Sequence, residues 1–406
     1  MLKLYKFIIF LSFFSILIGN FSRFISFNNN VGSLNFFELF IPLFTIFIIP
    51  VMYSRDKIPF FILISIFIFI ISMIVGISKF GINLNSIGYN IQFCLFLIFS
   101  HFLGISIYKV YGFNVREILK KYINFNFYLC CLSIIIFIIF PEAINLYKFL
   151  SNFNIIYNGD NHSGRVLSSF LEPNFFGLYI VLPIYLLIVS TCLSQKKKFL
   201  FLIIFLFCLI FTKSRSGIGT LFILLVFDFL IENLKILISK KNHTFSKKNF
   251  NIFIFVFLII ILYLTEIMDR FLIIFNEGSS LARIEGFKNF FILFKEDFFL
   301  GVGYNNTVSL SSALGNNIDS ALLVILLSHG IFFGTLFILF LFHFILNIYK
   351  KNNINSENSF YLNKIINYFI VIFFITGNFN LIFFEYFFII PIFGIFFYFR
   401  LISTKL

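Results

Sequence analysis

Apolar segments of about 20 residues, the length a helix needs to cross the hydrocarbon core of a bilayer, recur from one end of this chain to the other. About twelve are found, placed at 7–21, 36–53, 58–78, 87–108, 122–140, 168–193, 199–212, 216–238, 251–267, 320–348, 364–377 and 380–399. The first is followed by Ser22-Arg23-Phe24-Ile25, with no small-residue cleavage pattern. It reads as a retained helix rather than a signal peptide.

Composition agrees with the segment pattern. With 60% hydrophobic and 12% charged residues over 406 positions and a mean hydropathy of +1.01, a water-soluble globule is excluded. The expected fold is all-α, a single polytopic membrane domain spanning 1–406. The 71 phenylalanines and the lack of tryptophan fit an AT-rich coding sequence and carry no mechanistic weight. The cysteines, Cys94, Cys130, Cys131, Cys192 and Cys208, all fall in apolar segments without CxxC spacing. Neither a structural disulfide nor a metal site is expected, and no cofactor is called for.

Basic residues orient the segments. A cytoplasmic N-terminus puts 21 of the 31 Lys and Arg residues, Lys364 and Arg400 among them, on the inside, with both termini there. The net charge of +14 is thereby explained as a topology signal. No basic run is interleaved with surface aromatics, so nucleic acid is not an expected partner.

Three outer stretches then collect polar residues. The loop 141–167 carries Asp160, His162 and Arg165 and leads into Glu172, Pro173 and Asn174 at a helix start. The turn Phe211–Thr220 holds Lys213 and Arg215 at the membrane surface. The long loop 268–319 contains Leu281, Ile284, Phe287, Phe291 and Phe294 at helical spacing, with Arg283 in the first turn, which predicts an amphipathic helix on the membrane surface. Ser279 or Ser280 is placed to start it, and Gly301-Val302-Gly303 to end it. An arginine in a first turn opposes the helix dipole, so helix stability does not account for Arg283.

The residues now carry a resemblance. Gly164-Arg165 through Phe170, with Pro173-Asn174 and Gly177, resembles a signature of the O-antigen polymerase and ligase family of bacterial envelopes. Ser214-Arg215-Ser216-Gly217 resembles that family's S-R-G turn, and Arg283 followed by Phe298–Tyr304 resembles its arginine and G-x-G loop. Asp319-Ser320 with Gly330 and Gly334 resembles its last helix start; family ligases carry histidine at the position of Asp319, which favours a polymerase. The resemblance implies a GT-C-like architecture in the bacterial cytoplasmic membrane. It also implies polymerisation of undecaprenyl-pyrophosphate-linked oligosaccharide repeat units at the outer face, alongside a flippase and a chain-length regulator.

The chemistry of these residues is compatible with that. Arg165, Lys213, Arg215 and Arg283 lie at one depth, and guanidinium groups hold phosphate oxygens in bidentate fashion without ever deprotonating. Such groups stabilise the charge that builds on a departing pyrophosphate. An acceptor hydroxyl needs a base, for which Asp319, Glu172, Asp160 and His162 are the outer candidates, with Asn174 beside them for binding. Asp319 and Glu172 are equally placed to act as helix caps, and any single arginine to snorkel to the interface. His329, about 15 Å further along the helix than Asp319, reads as a packed histidine. A ligase and a lipid-linked oligosaccharide flippase are the competing activities. A transporter is expected to show repeated halves and midplane charges, neither of which the sequence displays.

Overall fold

The computed structural model describes residues 1–22, 36–53, 57–82, 84–152, 164–190, 192–239, 278–303, 306, 320–352, 356–374 and 385–405. These form α-helices and two 3-10 turns, with no strand among the described residues. In chain order they are α1 (Leu2–Ile18), α2 (Phe36–Tyr53), α3 (Phe60–Phe80), α4 (Leu84–Tyr111), α5 (Val115–Ile139), α6 (Ala143–Ser151) and α7 (Pro173–Val189). There follow α8 (Gln195–Phe211), α9 (Arg215–Ser239), α10 (Gly278–Glu296), α11 (Ala321–Asn352), α12 (Ser356–Phe374) and α13 (Tyr386–Lys405). Single 3-10 turns occupy Gly19–Ser22 and Ser168–Phe170.

Seven helices among the described residues (α1 to α5, α11 and α13) are long and apolar enough to cross a membrane, and α7 is a shorter apolar one. The chain is therefore a polytopic helical membrane protein. The expected segment 251–267 lies outside the described residues.

The core is built on helices that hide every face. α4 and α13 pack along each other, and small residues set their approach: a Cβ on Gly104 would lie 2.6 Å from Phe397 Cβ, and one on Gly394 2.6 Å from Leu103 Cδ2. Such close backbone approach is the usual way apolar helices gain contact in lipid, where no hydrophobic force drives them together. α7 is buried from Phe176 to Ile188 without an exposed position. Hydroxyls on the spans turn back onto their own helices, as with Ser65 to Phe61 O at 2.8 Å and Ser100 to Phe96 O at 2.7 Å, which satisfies them without water.

Among the described residues, one ion pair lies in this interior. Lys364 Nζ donates to Asp228 Oδ2 at 2.5 Å, and Asn367 Nδ2 to Asp228 Oδ1 at 3.0 Å, joining α12 to α9 with both charged residues buried. The sequence reading put Lys364 at the cytoplasmic edge of an apolar segment. α12 instead begins at Ser356, so Lys364 sits in its third turn and inside the bundle. A second lysine, Lys198, donates to Ile188 O at 2.8 Å and Ser190 O at 3.0 Å, closing the end of α7.

In the stretch 268–319, where an amphipathic surface helix is expected, there is a helix, α10, 19 residues long. Its contact face differs from the expected stripe. Phe290 and Leu293 are buried against Val302, Val324 and Leu327, whereas Phe291 is 67% exposed. In a membrane protein the outward face of a helix is apolar as well, so an apolar stripe does not by itself point to the protein.

Candidate functional site

Two short segments meet at one end of the bundle, 164–174 and 211–217. The end of α8 supplies backbone carbonyls that its own helix leaves unpaired, and the strap before α7 takes them up. Val166 N donates to Phe211 O at 2.9 Å, and Arg165 Nε donates to Thr212 O at 2.7 Å. A cation at a helix C-terminus is electrostatically favoured, so this position draws the guanidinium in. Arg165 also donates from its terminal nitrogen to Asn174 Oδ1 at 2.9 Å. Asn174 Nδ2 in turn donates to Glu172 Oε1 at 2.9 Å, and the same oxygen accepts from Asn174 N at 3.2 Å, capping α7. Arg165, Asn174 and Glu172 thus form one chain of hydrogen bonds, anchored on α8.

The turn 211–217 is built for α9. Ser214 Oγ accepts from Gly217 N at 3.1 Å, the N-cap arrangement. Ser214 Oγ and Ser216 Oγ lie 3.1 Å apart, and Ser214 N donates to Thr212 Oγ1 at 3.2 Å. Arg215 is consequently the first residue of α9, half-buried. Gly177 of α7 and Gly217 of α9 touch: a Cβ on Gly177 would lie 2.5 Å from Ser214 Cβ, and one on Gly217 2.8 Å from the Gly177 carbonyl carbon. The glycines of the two motifs bring the start of α7 and the start of α9 into direct contact.

Lys213 is the group this geometry leaves over. It is half-buried, and its ammonium lies 3.6 Å from where a Cβ on Gly164 would stand. Its backbone N donates to Ile210 O at 2.9 Å, but among the described residues its ammonium has no hydrogen-bond or ion-pair partner. Its backbone is left-handed, with φ 50°; Ser168 at 59° and Leu171 at 55° are the other non-glycine positions with positive φ among the described residues. All three fall in these two segments. Strained backbone of this kind costs about 1–3 kcal/mol per residue and gathers where a site over-determines its conformation.

A second constellation forms where α10 meets α11. α11 is broken at Gly330, whose φ of 70° and ψ of 173° belong to glycine alone. The broken turn receives the loop 298–303: Val302 N donates to Leu327 O at 2.9 Å, Gly303 N to Ser328 O at 3.0 Å, and Ile331 N to Phe298 O at 2.8 Å. The G-x-G loop and the glycine of the following helix are therefore two halves of one joint. α3 closes it from the side, with Ser72 Oγ donating to Ser328 O at 2.9 Å and Lys79 bonded to Asp297 and, at 2.9 Å, to Gly301 O. Next to the break His329 is buried, its ring 4.6 Å from that of Phe69, as a packed histidine.

The structure thus brings together Arg165, Glu172, Asn174, Lys213 and Arg215. Arg283 lies on α10, but its side chain is outside the described residues, as are Asp160, His162 and Asp319 altogether. Sequence reasoning missed the α8 carbonyls that seat Arg165, because backbone acceptors leave no residue signature. It also missed the buried pair Asp228 and Lys364, which corrects the expectation of no charges away from the membrane surface; the signal was Asp228, in the middle of the apolar segment 216–238. Comparison with protein-family models, with curated proteins and with solved structures found no match.

Proposed function

We propose that this chain is a membrane glycosyltransferase that joins polyprenyl-pyrophosphate-linked oligosaccharide repeat units at the outer face of a bacterial cytoplasmic membrane. The reading rests on one observation above the rest: a half-buried ammonium without a side-chain partner among the described residues, Lys213, on strained backbone in the same cluster as Arg165 and Arg215. A cation kept in that state at the end of a membrane helix is costly unless an anion visits it. The motif resemblance in the same residues names the anion as a lipid pyrophosphate.

In this reaction the acceptor hydroxyl of one repeat unit attacks the anomeric carbon of another, forming the glycosidic C–O bond. The bond from that carbon to the pyrophosphate oxygen breaks, and the electron pair leaves with the lipid pyrophosphate. Lys213, Arg165 and Arg215 offset the charge that develops on the leaving group. The hydroxyl proton passes to a carboxylate, for which Glu172, bonded through Asn174 to Arg165, and Asp319 are the candidates. The isoprenoid tail meanwhile stays among the lipid-facing aromatic side chains.

The test is the glycan left in a strain lacking the gene. Single repeat units on the lipid carrier or on the core acceptor, with long chains gone, are expected. Full-length polymer stranded on the carrier would make the protein a ligase. Movement of a lipid-linked glycan across proteoliposomes without chain growth would make it a flippase.

A further inference from the structure

A cleft of about 200 Å³ opens at the opposite end of the bundle, between the start of α3, the second half of α11 and the end of α13. Its depth is aromatic, with the Phe61 and Phe344 rings stacked at 4.9 Å and both residues buried. Its lip is polar: His343, Asn347 and Lys351 stand on successive turns of α11, and Arg400 faces them from α13. Asn347 Nδ2 and His343 Nε2 are 2.8 Å apart. Among the described residues no carboxylate lines the cleft.

The last turn of α11 favours a cation, which accounts for Lys351 alone; Arg400 lies more than one turn before the end of α13. The helix dipole does not account for an apolar slot open between them. A cationic lip over an aromatic slot, at the edge of a membrane span, matches an amphiphile with a negative head. The volume is below the roughly 300–1,000 Å³ of pockets that enclose a whole small molecule. A head and the first part of a chain fit such a cleft, with the remainder in the bilayer.

We propose that this cleft binds one anionic phospholipid of the leaflet at that end, its phosphate held by Arg400 and Lys351 and the start of an acyl chain laid against Phe61 and Phe344. The site is separate from the reaction proposed above and stands without it.

The purified full-length chain, delipidated in detergent, is titrated with dioleoylphosphatidylglycerol or dioleoylphosphatidylcholine, and the one-lipid adduct is read by native mass spectrometry. A preference for the anionic lipid of roughly tenfold is expected, the value of a single charge-assisted hydrogen bond. Lys351→Gln and Arg400→Gln each remove most of it. Lys350→Gln, the same loss of charge one residue outside the cleft, keeps it. Should Arg400→Gln not accumulate, Lys351→Gln, at an exposed position, carries the comparison. Equal uptake of the two lipids by the unmodified chain, or an unchanged preference in Lys351→Gln, overturns the proposal. Displacement of the lipid by millimolar inorganic phosphate also overturns it, since the site would then be one for the free anion.

Discussion

Arg165→Lys separates a guanidinium that organises the candidate site from one that only reaches the membrane surface. The native side chain holds two acceptors at once, Thr212 O through Nε at 2.7 Å and Asn174 Oδ1 through a terminal nitrogen at 2.9 Å. Lysine keeps the charge but has no donor at the Nε position, so the anchor on α8 is lost while the ammonium competes for Asn174. A hydrogen bond to a charged group contributes about 1.5–3 kcal/mol. At about 1.36 kcal/mol per tenfold, its loss should slow any step that depends on the seated Arg165-Asn174-Glu172 chain by about ten- to a hundred-and-fifty-fold. The assay is the length distribution of surface glycan in cells, run beside immunoblots that match protein abundance. Long chains should give way to short ones at equal abundance. A snorkelling arginine tolerates lysine, because either side chain reaches the interface. Chain lengths like those of the unmodified protein, at matched expression, would refute the argument that this clamp serves the reaction.

Gly330→Ala should lower the thermal midpoint well below that of Gly334→Ala, because its Cβ would lie 2.2 Å from Phe299 O on backbone with φ 70°, against 3.1 Å from Leu326 Cα at Gly334. Equal melting of the two variants in detergent would show that the loop 298–303 does not depend on the break. Asp228→Asn should cost about 3–5 kcal/mol, since it strands Lys364 in the interior, whereas Asp228→Leu combined with Lys364→Met should restore most of the stability. A double variant as unstable as the single one would mean that the pair is not what the site requires. Reporter fusions after Lys198 should read cytoplasmic, and those at Asn161 and Gly303 external; an external signal after Lys198 would invert the site's face.

The membrane class and most spans were legible because hydropathy acts on whole segments, and α2 follows the expected 36–53 to the residue. Ends were less legible. α12 starts eight residues before its expected segment, because Lys364 is made tolerable by Asp228, a partner 136 positions away in the chain. In the candidate site, the residue types were visible but their grouping was not. The contact of Gly177 with Ser214 and the seating of Arg165 on Thr212 O depend on how α7, α8 and α9 cross. Ser168, Leu171 and Lys213 could not be marked as left-handed from composition, since none is a residue type that favours that conformation.

The length of α7 bears on where a headgroup can travel. Its 17 residues rise about 25 Å, short of the roughly 30 Å of hydrocarbon in a typical bilayer. Both ends are fastened, by Glu172 at one and by Lys198 at the other, so it cannot lengthen by another turn. α5 has 25 residues and rises about 37 Å. Its end is level with the strap around Arg165: Gly164 N donates to Pro141 O at 2.9 Å, and the Phe137 ring lies 5.7 Å from that of Phe211. A short helix next to a long one is accommodated by local thinning of the bilayer or by flanking polar side chains that reach to the interface. Bilayer thickness then becomes a control variable: shorter-chain lipids bring the interface to the strap, and longer-chain lipids draw it away.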